Sequence, residues 1–140
     1  MYIDSNLVVS GTRSGAGVWT GQTIESTELS TYSIDLGATK NLSKGKQLYF
    51  VVLIATAFTA CNSVNFQVVT ADNAALSSNL VVQMETGTLV RTSLTLNRAP
   101  IVIPVGSAFD IEDQYLGLRY TVDGSSDTGV VIAFLAFDAP

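Results

Sequence analysis

A chain of 140 residues with a net charge of −5 and a pI near 4.4 is long enough to bury one ordinary hydrophobic core. Charged residues make up only 14%, against about 25% in a typical globular protein, and 14 Ser, 15 Thr and 11 Gly take their place, the balance of an all-β chain. The absence of His removes the commonest general base and metal ligand, and a lone Cys61 leaves neither an intrachain disulfide nor a thiolate cage. Seven basic residues against twelve acids make a poor phosphate binder.

In chain order, candidate strands begin near Leu7, Val18, Tyr32, Leu48, Val64, Val81, Thr92, Ile101, Tyr115 and Gly129. The first 30 residues read partly as an extended arm or long loop and not as a linker between domains, because Val18 and Trp19 interrupt the Gly/Ser/Thr-rich run Gly11–Ser30. The polar loop Asn41–Lys46 precedes an apolar run from Leu48 to Ala57. Val64, Phe66 and Val68 alternate with polar neighbours, as do Leu116, Leu118, Tyr120 and Val122, the period of a half-buried strand. Glu85-Thr86-Gly87-Thr88 reads as a hairpin turn, and Asp123-Gly124 reads as the hairpin between the last two strands. Single helical turns fit Ala74–Asn79 and Ala108–Gln114.

Two runs, Leu48–Ala57 and Gly129–Phe137, are apolar on both faces. Such strands lie between two covering layers or pack one face on another molecule. The longest uncharged apolar stretch, Leu48–Cys61, is shorter than the about 20 residues of a membrane helix. Met1-Tyr2-Ile3-Asp4 lacks the basic flank of a signal peptide, so the expectation is a soluble product made in the cytoplasm. Eight to ten strands with short turns predict a single all-β domain over residues 1–140, a jelly-roll-like antiparallel β-sandwich.

The chemical candidates are sparse. Asp110, Glu112 and Asp113 form the densest acidic cluster, but alternation on a strand leaves too few oxygens together for a calcium ion. Asp123–Asp127 lacks the remaining positions of a calcium loop. The glycines of Gly15–Gly21 do not follow phosphate-loop spacing, and no strand–helix unit surrounds them. Lys40, Lys44 and Lys46 gather in one loop, and Asn41-Leu42-Ser43 has only the form of a glycosylation sequon. Cys61 reads as a small buried hydrophobe. Trp19, Tyr32 and Tyr2 are the aromatics available to stack on sugar rings, which keeps a carbohydrate-binding β-sandwich as the alternative function. A carboxylate-based hydrolase has no pair of acids that the sequence promotes.

Five blocks in register resemble a family of capsid cement, or decoration, proteins of short-tailed bacteriophages. They are Met1-Tyr2-Ile3-Asp4 with Leu7 and Ser10, Ile34-Asp35-Leu36-Gly37, Leu48–Val52, Phe66–Asp72, and Tyr115–Val122 leading through Gly124 and Thr128-Gly129 to Ala133-Phe134-Leu135. Two features depart from the family pattern: Arg119 replaces a smaller polar residue, and Gly11–Ser30 is longer and more polar.

The resemblance implies a jelly roll without enzymatic activity, cofactor or metal. Such a protein sits on the outer surface of the virion and clamps neighbouring copies of a phage major capsid protein. It works as a homo-dimer or homo-trimer and contacts neither nucleic acid nor membrane. Tyr2, Ile3, Asp4 and Leu7 are then the expected strip of contact with the shell.

Overall fold

The computed structural model describes residues 3–37, 47–105 and 113–140. Twelve strands run through them: β1 (Val8–Ser10), β2 (Thr12–Arg13), β3 (Trp19–Thr20), β4 (Gln22–Ile24), β5 (Glu28–Leu29), β6 (Ile34–Asp35), β7 (Leu48–Thr56), β8 (Cys61–Ala71), β9 (Val81–Val90), β10 (Ile101–Val105), β11 (Tyr115–Gly124) and β12 (Gly129–Ala136). Single 3-10 turns cover Ser5–Leu7 and Arg91–Ser93.

The strands form two antiparallel sheets and one small ribbon. In the first sheet β12 lies between β7 and a broken edge, where β1 pairs with Ala133 and Phe134 and β4 with Gly129–Val131. β10 closes the far side of β7. The second sheet repeats the plan, with β5 and β6 end to end along β11, then β8 and β9. Counting each broken edge as one strand leaves eight strands. The sheets then read first, eighth, third, sixth and second, seventh, fourth, fifth, the double Greek key of a jelly roll.

Alternation decides what fills the space between the sheets. Phe50, Val52 and Ile54 from β7 and Val131, Ala133 and Leu135 from β12 meet Val64, Phe66 and Val68 from β8 and Leu116, Leu118 and Tyr120 from β11. Tyr120 is completely buried, with its ring edge-on to Phe66 at 5.7 Å. Its hydroxyl lies 2.6 Å from the buried Ser10 hydroxyl, so a fully buried polar group of the second sheet is satisfied by the first strand of the other. Burial holds the phenol above its ordinary pKa, against the pull of that hydrogen bond.

Two turn readings and one strand start need correction. Glu85–Thr88 lies inside β9, where the register to β8 shifts between Asn65 and Gln67. Gly87 has φ +72° there, and the Thr86 hydroxyl, not a backbone carbonyl, accepts from the Phe66 N–H at 3.2 Å. The Thr-Gly signal therefore marks a β-bulge. Asp123-Gly124 is no hairpin either, because β11 and β12 belong to different sheets and their connection crosses the sandwich. Thr92 starts no strand but sits in the second 3-10 turn. At Ala74–Asn79 the chain makes one turn closed by Leu76 N–H on the Asn73 carbonyl at 3.0 Å, while residues 108–112 lie outside the described residues.

The doubly apolar runs have a physical resolution. Tyr49, Val51 and Leu53 of β7 and Ile132, Phe134 and Ala136 of β12 point away from the main core and form a second apolar layer on the outer face of the first sheet. Val8 joins them from β1, while Ile3 and Trp19 pack over the layer. The early segment is thus tied to the body through short strands and this packing.

Candidate functional site

Between β1 and β4 the chain leaves the sheet as a ribbon, with Thr12 opposite Thr20 and Arg13 opposite Trp19. Gly11 permits the departure: its φ is +103°, and a Cβ there lies 2.8 Å from the Thr20 carbonyl oxygen. Gly21 permits the return, since any Cβ overlaps Val130 and the Val131 carbonyl. The ribbon tip closes through Ser14 N–H to the Val18 carbonyl at 2.9 Å and Gly17 N–H to the Ser14 carbonyl at 2.9 Å. The glycines of Gly15–Gly21 thus build this ribbon.

The ribbon, the first 3-10 turn and the stretch Tyr32–Ser33 enclose a pocket of about 350 Å³, at the small end of the range for ligand sites. Its aromatic walls are Trp19, half-buried against the outer apolar layer, and Tyr32, which is 48% exposed. The Tyr32 backbone N–H donates to the Val9 carbonyl at 2.8 Å, which ties that wall to β1. Ser5, Asn6, Thr12 and Arg13 supply side-chain polar groups, and none of the four is hydrogen-bonded through its side chain within the described residues. Ser33 differs, its hydroxyl donating to the Ala74 carbonyl at 2.8 Å. Among the described residues no carboxylate lines the pocket, and the Arg13 guanidinium is the one charged group that does.

Trp19 and Tyr32, named from the sequence as possible sugar-stacking aromatics, are therefore brought together, while Tyr2 lies outside the described residues. Of the expected shell-contact strip, Ile3 packs on the outer layer and Leu7 on the main core. Asp4 is exposed and caps the first turn, accepting from the Asn6 N–H at 2.9 Å. Arg13 went unremarked in the sequence. The alternation of Thr12-Arg13 and Trp19-Thr20 around a glycine-rich tip was the signal for it.

The acidic candidates resolve differently. Asp110, Glu112 and the three lysines Lys40, Lys44 and Lys46 lie outside the described residues, as does Asn41-Leu42-Ser43. Asp113 accepts from the Thr70 hydroxyl at 2.5 Å. Asp127, in the loop between β11 and β12, is 2% exposed and accepts five backbone N–H groups, from Thr59, Ala60, Cys61, Thr128 and Gly129, at 2.7–3.2 Å. Burial alone raises a carboxyl's pKa, but the Cys61, Thr59 and Ala60 donors overcome it and hold Asp127 well below the usual carboxylate range. The same surroundings push the Cys61 thiol up to about 11, through burial first and then the hydrogen bond to, and charge of, Asp127. This constellation pins two loops of the sandwich and presents no nucleophile. Among the described residues no group of three His, Cys, Asp or Glu is placed to hold a metal ion, and no helix is long and apolar enough to cross a membrane.

Fold and site together define a jelly-roll protein with an amphipathic pocket at its amino-terminal edge and a second apolar layer beside it. The chain belongs to the Bbp16 family, whose sequence pattern matches residues 18–135. Among curated proteins none matches it. The matched span takes in Trp19 and Tyr32 and leaves Arg13 and the first 3-10 turn outside.

Proposed function

We propose that this protein is a capsid cement protein, which binds the outside of a phage head and clamps neighbouring major capsid proteins to hold the mature shell closed. The single observation that carries the reading is the outer apolar layer of the first sheet. Tyr49, Leu53 and Ile132 remain half-buried there although Ile3 and Trp19 already pack on it, and Phe137, the residue following Ala136, is 57% exposed. Contiguous apolar surface of this kind fits docking on a large, flat partner. The resemblance of the five sequence blocks to phage cement proteins supports a capsid shell as that partner.

In this reading Ile3, packed on the outer layer, and the exposed Asp4 beside it form one margin of the docking face, with Leu7 anchoring their segment on the main core, and the exposed Phe137 extends it past the end of β12. Stabilisation follows from linkage: a protein that binds the expanded shell more tightly than the immature one shifts the equilibrium toward the expanded state. Many copies, each bridging subunits, multiply a modest contact into a large effect. Association of the protein with itself as a dimer or trimer belongs to the same proposal.

The test mixes purified protein with undecorated expanded capsids, followed by sedimentation and a heat challenge. Saturable co-sedimentation and a higher rupture temperature are expected, with both reduced at least tenfold in apparent affinity by Phe137→Asp. Absence of binding to a cognate shell overturns the reading. Undiminished binding by the Phe137→Asp variant moves the docking face elsewhere on the molecule.

A further inference from the structure

We infer that the pocket at the amino-terminal edge is a binding site for an acidic sugar, a saccharide ring bearing a carboxylate. Three independent features converge on that chemistry. Trp19 and Tyr32 supply flat apolar surface with polar tips, which suits the faces of a pyranose ring. Ser5, Asn6 and Thr12 offer side-chain donors and acceptors that the described structure leaves uncommitted, as ring hydroxyls require. Arg13 is a guanidinium that has no ion-pair partner and meets no pocket-lining acid among the described residues, on a protein whose net charge is −5. A planar fork of donors matches a carboxylate better than a neutral hydroxyl.

The position of Arg13 is built in. A Cβ on Gly17, where φ is +79°, lies 3.5 Å from the guanidinium Nη2, so the arginine folds back along the ribbon over a residue without a side chain. The ribbon register then sets Arg13 opposite Trp19. Cation and aromatic wall are held by the same pair of strands, and Tyr32 is fixed by its hydrogen bond to β1. The volume of about 350 Å³ accommodates a short saccharide segment and no folded partner. The site needs no shell, so its test stands apart from the docking reading.

Trp19 is the protein's only tryptophan, so its fluorescence reports on the pocket directly. The experiment titrates the intact protein with an oligogalacturonate and with a neutral oligosaccharide of equal length, and repeats both with a glutamate-rich peptide. Ligand-observed NMR is the second readout. A saturable change with the oligogalacturonate is expected, at least tenfold tighter than with the neutral sugar. Arg13→Gln should erase that difference by weakening the acidic sugar roughly ten- to hundredfold, and Tyr32→Ala should weaken both sugars. Both residues are exposed, so the variants should keep the wild-type fold, checked by circular dichroism. No saturable response to the oligogalacturonate in the millimolar range overturns the proposal. Equal affinity for the two sugars also overturns it, as does binding of the peptide without the sugar.

Discussion

Asp127 is the residue on which local reading and structure diverge most. Asp123-Gly-Ser-Ser-Asp127 carries strong turn chemistry, and nothing nearby in sequence announces that its last acid is nearly inaccessible. Three of its five backbone donors come from Thr59–Cys61, more than 60 residues away along the chain. Replacing it with Asn removes the charge and turns an amide group toward N–H donors. Urea denaturation at pH 7 should find Asp127→Asn destabilised on the order of 3 kcal/mol. The pH dependence has a definite sign. A carboxyl whose folded-state pKa is depressed contributes fully above its unfolded value of about 4 and loses that contribution as pH falls toward the folded value. The gap between wild type and Asp127→Asn should therefore shrink below about pH 4, and a gap constant down to pH 2 would contradict the account. Cys61 gives a second residue-scale prediction. With burial and the Asp127 charge raising its thiol to about 11, it should resist alkylation at pH 8 in the native state and react at once after unfolding, as mass spectrometry of the labelled protein can follow.

Among the elements, the interior strands were the most legible. Leu116, Leu118 and Tyr120 and Val64, Phe66 and Val68 alternate strictly because one side of each faces the core, and period two follows directly from that. The edges were harder to read. β1, β4, β5 and β6 are two or three residues each, too short to carry a period, and they are recognisable as broken edge strands only once β11 and β12 are in place beside them. The pocket was half legible for the same reason: its aromatics stand out in the sequence, whereas Arg13 acquires meaning only from the ribbon register. The amino-terminal segment gives a test at this scale. Removing residues 1–7 takes away Ile3 and Leu7, which pack on the outer layer and on the main core respectively. The truncated protein should keep its β-sheet circular dichroism, lose roughly 2 kcal/mol of stability, and gain binding of an apolar dye such as ANS. A truncation without change in stability or dye binding would show that the segment covers nothing.

At the scale of the molecule, the two sheets protect their free edges by different means. β10 carries Pro104, which has no N–H to offer a neighbouring strand, and β9 is interrupted by register shifts and by the bulge at Gly87. Both devices discourage uncontrolled edge-to-edge growth, which is useful in a protein proposed to sit at high density on a lattice. The arrangement also depends on β12, which lies inside the first sheet between β7 and the pair β1 and β4. Deleting residues 129–136 should leave no cooperative unfolding transition in calorimetry, because both neighbours lose their ladder and the core loses Val131, Ala133 and Leu135 together.

That dependence bears on the order of events in the cell. The residues that complete the first sheet, Ala133 and Phe134, are synthesised more than 120 residues after Val8 and Ser10, with which they pair. A growing polypeptide therefore cannot close this sandwich while β12 is still inside the ribosome, and the pocket beside β1 cannot mature before it. Whatever binds in that pocket or on the outer layer therefore meets a surface that exists only once β12 has docked, and a chain arrested before that point presents neither.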